Sequence, residues 1–280
     1  MKKVFLKLAL LTLVIGVALI NNSCGATFIK EGNGVLVISE QDLPEFEKIN
    51  ISGFAEVHFY ESDEYRTVLI IDENLEKYVD IFVEGNTLKI KTKNGSYIFT
   101  KFLVEVYCPA SLTGVTLSGS GNFYGKDAIV TSTFNAAISG SGDIKCDVEC
   151  SSNISATITG SGNMRGDFAC QDFSAKIDGS GDMRGKVECQ KFSAKIIGSG
   201  NISIAGSGQE ADITISGSGD FGGYDFIMKN ATISISGSGN ANVFVTDYLK
   251  ATIYGSGNIN YKGNPQVDAY VTGSGKIKKM

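Results

Sequence analysis

The chain has 280 residues and a formal net charge of −5, with 34 glycines, 3 prolines, one histidine and no tryptophan. The acidic balance argues against nucleic acid and against broad attraction to anionic lipid, both of which reward basic surfaces. Glycine at this level with so little proline is neither a collagen nor a linker signature, so it calls for a periodic explanation.

The chain opens Met1-Lys2-Lys3, and an apolar run from Leu8 to Ile20 leads into Asn21-Asn22-Ser23-Cys24. A basic start, about a dozen apolar residues and a small residue before a cleavage point describe a secretory signal. The run is short for a bilayer span, which needs roughly 20 apolar residues. Cys24 stands where a lipoprotein signal places its modified cysteine. Ala18 to Cys24 looks like a loose lipobox, with Asn21 where leucine is usual. The expectation is a signal peptide over residues 1–23 and lipidation at Cys24, against plain secretion with cleavage near Ser23. Several acyl chains hold a protein stably at a membrane, each buried CH₂ adding about 0.8 kcal/mol. Processing removes Lys2, Lys3 and Lys7 and leaves a still more acidic body. Residues 24–42 read as anchor and linker.

Residues 43–115 read as an N-terminal β region. Strands are expected at Val35 to Ser39, Phe46 to Ile51, Ala55 to Tyr60, Thr67 to Ile71, Leu88 to Thr92 and Phe102 to Tyr107. Asn94-Gly95 is a turn signal, and Glu73 to Val79 reads as a short helix or turn. A solenoid needs ends that shield its last rung, and this region suits the N-terminal cap. The one histidine, His58, alternates with Val57 and Phe59, which predicts a solvent-facing strand position.

From residue 116 to 278 the tripeptide Gly-Ser-Gly recurs. It begins at Gly119, Gly140, Gly160, Gly179, Gly198, Gly217, Gly237, Gly255 and Gly273, with an off-period copy at Gly206. A fixed period near 20 residues signals a repeat architecture. Between the tripeptides apolar residues occupy every second place, as in Phe173-Ser174-Ala175-Lys176-Ile177 and Phe192-Ser193-Ala194-Lys195-Ile196. That is a half-buried strand. One such unit cannot bury its face alone. Rungs stacked about 4.8 Å apart give a parallel β-helix-like solenoid, a rod of roughly 40 Å. Lys276, Lys278 and Lys279 place charge at its far end, where an open edge would invite aggregation.

The tripeptide is followed by Asn122, Asp143, Asn163, Asp182, Asn201, Asp220, Asn240 and Asn258. Glycine accepts positive φ, and Asn or Asp bonds its own backbone, so turn chemistry repeated by the rungs accounts for the row. A calcium or sugar ladder is the competing reading. The Gly-Gly-x-Gly-x-Asp nonapeptide of calcium-binding β-rolls is absent. Cys108, Cys150, Cys170 and Cys189 share a register 9 to 11 residues before the next tripeptide. Adjacent rungs would bring such residues within disulfide reach, and export permits the bond. Buried free thiols are the preferred reading. Cys146 and Cys150 carry no zinc-knuckle spacing.

Several stretches resemble a known family. Leu43-Pro44-Glu45-Phe46-Glu47-Lys48-Ile49-Asn50-Ile51-Ser52-Gly53 looks like its opening. Val57-His58-Phe59-Tyr60, Leu69-Ile70-Ile71-Asp72-Glu73-Asn74-Leu75, Glu84-Gly85-Asn86-Thr87-Leu88-Lys89-Ile90 and Val104-Glu105-Val106-Tyr107-Cys108-Pro109 follow in its order, and the Gly-Ser-Gly rungs complete it. The family is the DUF2807 group, described as the putative auto-transporter adhesin head GIN domain. The resemblance covers about residues 43–275. The arginine common before the Leu-Pro pair is replaced by Gln41-Asp42. The resemblance implies an all-β, β-helical fold, an envelope location and an adhesin label. It supplies no ligand and no catalytic residue.

The sequence offers no Ser-His-Asp set, no supported Cys-His pair and no phosphate-cradling loop. A β-helical polysaccharide-degrading enzyme would need clustered acids in a cleft walled by long loops, and the rungs are nearly uniform. Tyr124, Tyr224, Tyr254 and Tyr261 could line an aromatic stripe, but core or edge packing is the preferred use. The reading is an all-β, non-catalytic envelope lipoprotein without a cofactor. It is membrane-held through its anchor and binds an unknown polymer or protein along an extended strand face. A structural periplasmic scaffold is the alternative. Ligand binding should leave a patch of aromatics or unusual polar groups on one face, where a spacer would show only Ser, Thr, Lys and Asn.

Overall fold

The computed structural model describes residues 29–280, which are almost entirely β-strand. Cys24 and the segment expected as a signal peptide lie outside the described residues. The N-terminal region supplies β1 (Ile29–Glu31), β2 (Leu36–Asp42), β3 (Lys48–Gly53), β4 (Glu56–Glu61), β5 (Arg66–Asp72), β6 (Val79–Glu84), β7 (Thr87–Thr92), β8 (Ser96–Ile98) and β9 (Phe102–Cys108). A single 3₁₀ turn, Glu76–Tyr78, falls inside the stretch expected as a short helix or turn.

Beyond β9 the chain climbs as a parallel solenoid. The first glycine of each corner pairs with its equivalent one turn later, in a column running from Gly53 through Gly119, Gly140 and Gly160 to Gly273. The column therefore starts in β3, and the rungs run without a break across residues 115 and 116. At Gly53 the corner reads Gly-Phe-Ala instead of Gly-Ser-Gly. Beneath Gly53 lies Thr92, where the chain turns away. No corner sits under Ala55, so its methyl has room.

Inside the rod, alternation becomes rows. Leu117, Ile138, Ile158, Ile177, Ile196, Ile215, Ile235 and Ile253 stack in one buried column. Phe173 and Phe192 stack in another, ring centres 5.9 Å apart and nearly parallel. Each such side chain contributes roughly 1.5–3 kcal/mol by leaving water. Outward positions carry mostly serine, threonine, lysine and asparagine.

At the N-terminal end the parallel pattern stops. β7 and β9 lie parallel under β3 and β4. Then β6 pairs antiparallel with β7, β5 with β9 and β2 with β5. Residues 29–31 and 36–42 form strands β1 and β2, the first paired with β8 and the second overlapping the strand expected at Val35 to Ser39. Phe46 and Leu75 are buried and plug the interior at this end.

Candidate binding surface

The corner chemistry is internal. Each first-glycine carbonyl accepts two N–H groups from the next rung: Gly140 O takes those of Ser161 and Gly162 at 2.9 and 3.1 Å. Asn163 N and Nδ2 both donate to Asp143 Oδ1 at 2.9 Å, and Asp182 N donates to Asn163 Oδ1 at 3.2 Å. The same bonds recur from Asn122 to Asn258. Most of the row's Oδ1 atoms are therefore occupied by the protein's own backbone and amides, and turn chemistry explains the row. Among the described residues no group of three or more His, Cys, Asp or Glu could hold a metal ion.

The five described cysteines are free thiols. Cys150, Cys170 and Cys189 lie just past paired strand residues of successive turns. Burial pushes their pKa values up to about 11, 11 and 12, so they stay protonated and unreactive at neutral pH. Cys108 and Cys146 are raised to about 12 for the same reason.

Near the capped end an outer face departs from the plain Ser/Thr pattern. β4, β9 and the strand Asn122–Gly125 lie side by side and present His58, Tyr60, Tyr107 and Tyr124 outward. Tyr60 and Tyr107 are in register and stack at 5.2 Å. Arg66 of β5 lies 3.8 Å over the Tyr107 ring and bonds Glu40 at 2.8 Å. Tyr107 donates its hydroxyl hydrogen to Glu105 Oε2 at 3.0 Å. His58 meets Tyr124 edge-on at 5.5 Å, and its Nε2 lies 2.8 Å from Glu56 Oε1.

His58 does face outward as alternation predicts. Its side chain is only 15% exposed, however, because the tyrosines flank it. Burial, then the nearby Lys126 charge, lowers its pKa against the pull of Glu56. Burial raises the phenols of Tyr60, Tyr107 and Tyr124, with Glu105 adding to the first two and Glu56 to the third. At neutral pH the patch therefore presents neutral hydroxyls and imidazole beside carboxylates.

A second feature is a groove of about 470 Å³ along the repeats. Ser155, Ser174 and Ser193 lie along it over buried Phe173 and Phe192, and Asp172, Lys191 and Glu210 alternate in charge along its edge. The four tyrosines singled out in the sequence do not form one stripe. Tyr124 joins the patch, Tyr224 lies under Lys262, Tyr254 meets Tyr270, and Tyr261 packs on the core. Tyr60 and Tyr107 were missed. Their signal was available in the matching Val-His-Phe-Tyr and Val-Glu-Val-Tyr alternations.

The family model described as the putative auto-transporter adhesin, head GIN domain, matches residues 45–167 and 163–265. The chain belongs to the DUF2807 family. The resemblance read from Leu43 onward is thereby confirmed, together with its β-helical implication. Three solved structures are similar over 90% of this chain. One is a putative lipid binding protein from Parabacteroides distasonis, with 28% identity, TM-score 0.69 and all of its own chain covered. A putative adhesin from Parabacteroides merdae has 27% identity, TM-score 0.67 and 99% of its chain covered. A putative adhesin from P. distasonis has 26% identity, TM-score 0.64 and all of its chain covered. A comparison with curated proteins found no match.

Proposed function

We propose that this DUF2807 chain is a non-catalytic, adhesin-like envelope protein. It is lipid-anchored at Cys24 and binds a polymer or protein through an outer face of its solenoid. The aromatic patch of His58, Tyr60, Tyr107 and Tyr124 carries this reading. Tyrosines with neighbouring carboxylates and an arginine offer stacking area and fixed hydrogen-bond partners, and a spacer has no use for them. The adhesin description of the family and of two structural relatives supports the same reading. The relative described as lipid-binding suggests a lipid ligand. Here the interior rows are filled by buried side chains, so an acyl chain would have to lie outside.

Protease shaving of intact cells, with a lysed-cell control, tests the setting. Loss from intact cells supports surface binding. Survival until lysis removes adhesion and leaves a periplasmic scaffold. Glycan and matrix-protein arrays then test the patch. Tyr107→Ala should lower retention of any captured ligand about tenfold, the effect of losing one well-packed aromatic contact. Undiminished retention would remove the patch from the site.

A further inference from the structure

The two ends of the rod are built differently. At the N-terminal end Phe46 and Leu75 fill the interior, and the flanking strands turn antiparallel. At the other end the last turn is the strand Gln266–Gly273 followed by Lys276–Lys279. Every residue of Gln266–Gly273 is exposed. Val267, Ala269 and Val271 stand in register over Leu249, Ala251 and Ile253, which are fully buried. They occupy core rows, yet Val267 is 36% and Val271 41% exposed. Among the described residues nothing lies over them, and the outer N–H and C=O groups of the strand edge face open space.

An apolar strand edge of this length is an association site. The neighbouring Lys276–Lys279 is guarded by lysines, and Gln266–Gly273 carries only Asp268. The 28 residues outside the described structure join at Ile29, on the capped end, roughly 40 Å away by the rung repeat.

We propose that this open turn is a homodimerisation surface, where two copies meet end to end and Gln266–Gly273 pairs antiparallel with itself about a two-fold axis at Ala269. That register sets Val267 against Val271 of the second copy and Asp268 beside Tyr270. An axis normal to the sheet keeps inward side chains inward, so the core continues across the junction. It also sends the two lysine-bearing strands to opposite flanks, so like charges do not meet. At the capped end the free edges belong to strands of antiparallel pairs, β2 and β6, and not to a parallel last rung, so the open turn matches its own copy and the assembly closes at two copies. Each pair then carries its N-termini at opposite ends of a rod roughly 80 Å long. This inference is independent of the ligand-binding reading.

Light scattering on the purified full-length protein, with bound detergent subtracted, should give twice the chain mass at micromolar concentration. Val271→Asp and Val267→Asp should each give the monomer mass with an unchanged far-ultraviolet spectrum. Ile38→Asp, an exposed apolar position at the capped end, should leave the dimer intact. Ala269→Cys should cross-link to a dimer through an intermolecular disulfide under a mild disulfide oxidant. A wild-type monomer, open filaments, a dimer indifferent to both valine variants or one lost with Ile38→Asp would each overturn the proposal.

Discussion

In the repeats, a polar backbone group at a corner finds its partner one rung away, and every rung reuses its neighbour's solution. Gly162 N bonds Gly140 O, as Gly181 N bonds Gly160 O. In the cap the partners come from far along the chain. Buried Asp72 accepts N–H bonds from Gly34 at 3.0 Å, Thr100 at 2.7 Å and, longer, Lys101 at 3.5 Å. The body thus spreads its stability over many equivalent contacts. The cap concentrates it on a few groups with no substitute nearby. The difference also bears on recognition, since the tyrosine patch, an unrepeated surface, lies where the cap strand β9 meets the first rungs, β4 and Asn122–Gly125.

The comparison breaks most sharply at a corner glycine. A Cβ on Gly162 would sit 2.1 Å from Gly142 O and 2.8 Å from Ile138 Cγ2, and a backbone carbonyl cannot move aside. Gly162→Ala should cost about 3 kcal/mol by forcing adjacent rungs apart. Gly34 of the cap has φ +74° but nothing within 4 Å of its would-be Cβ. Gly34→Ala should cost only about 1 kcal/mol of backbone strain. Gly162 has no positive φ, so equal shifts of the urea midpoint for the two would show that the close approach of neighbouring rungs costs no more than backbone strain alone.

Asp72 gives the next effect. Burial alone would raise its pKa, but the N–H bonds from Thr100, Gly34 and Lys101 outweigh it and hold the carboxylate below its ordinary value. A depressed folded-state pKa contributes stability that is present above about pH 4, the unfolded value, and lost as pH falls through the folded value. Asp72→Asn should cost about 2–3 kcal/mol at pH 7, because the amide brings donors to a site that needs acceptors. The gap from wild type should narrow as pH falls below about 4. A constant gap down to pH 2 would place the role of Asp72 in shape instead of charge.

The solenoid was legible in the sequence because its cause recurs. Glycine is required wherever one backbone crosses close over the last, and that happens once per turn. The first rung was less legible because Ala55 stands where later corners need glycine, with no corner below to exclude its methyl. Strand β6 went unread, since its antiparallel partner β7 is fixed by tertiary pairing and not by a local signal. The tyrosine patch was hidden for another reason: its residues come from separate strands, and only the observed register of β4 on β9 sets Tyr60 against Tyr107. Asp72 was visible only as one letter of a family motif. Its role depends on N–H groups from two other segments.

The smallest expected effect tests why asparagine and aspartate alternate from Asn122 to Asn240. Asn163 donates to Asp143 below and accepts from the backbone above. An aspartate there could still accept, but it would lose the side-chain donation and set three carboxylates one rung apart. Adjacent charges about 4.8 Å apart at a half-solvated surface repel by about 1 kcal/mol or more, less in salt. Asn163→Asp should therefore be less stable than Asn163→Ala at low ionic strength, and the order should narrow in 1 M salt or at pH 3. Identical losses with no salt dependence would mean that the row selects only for turn geometry, and that the alternation carries no electrostatic meaning.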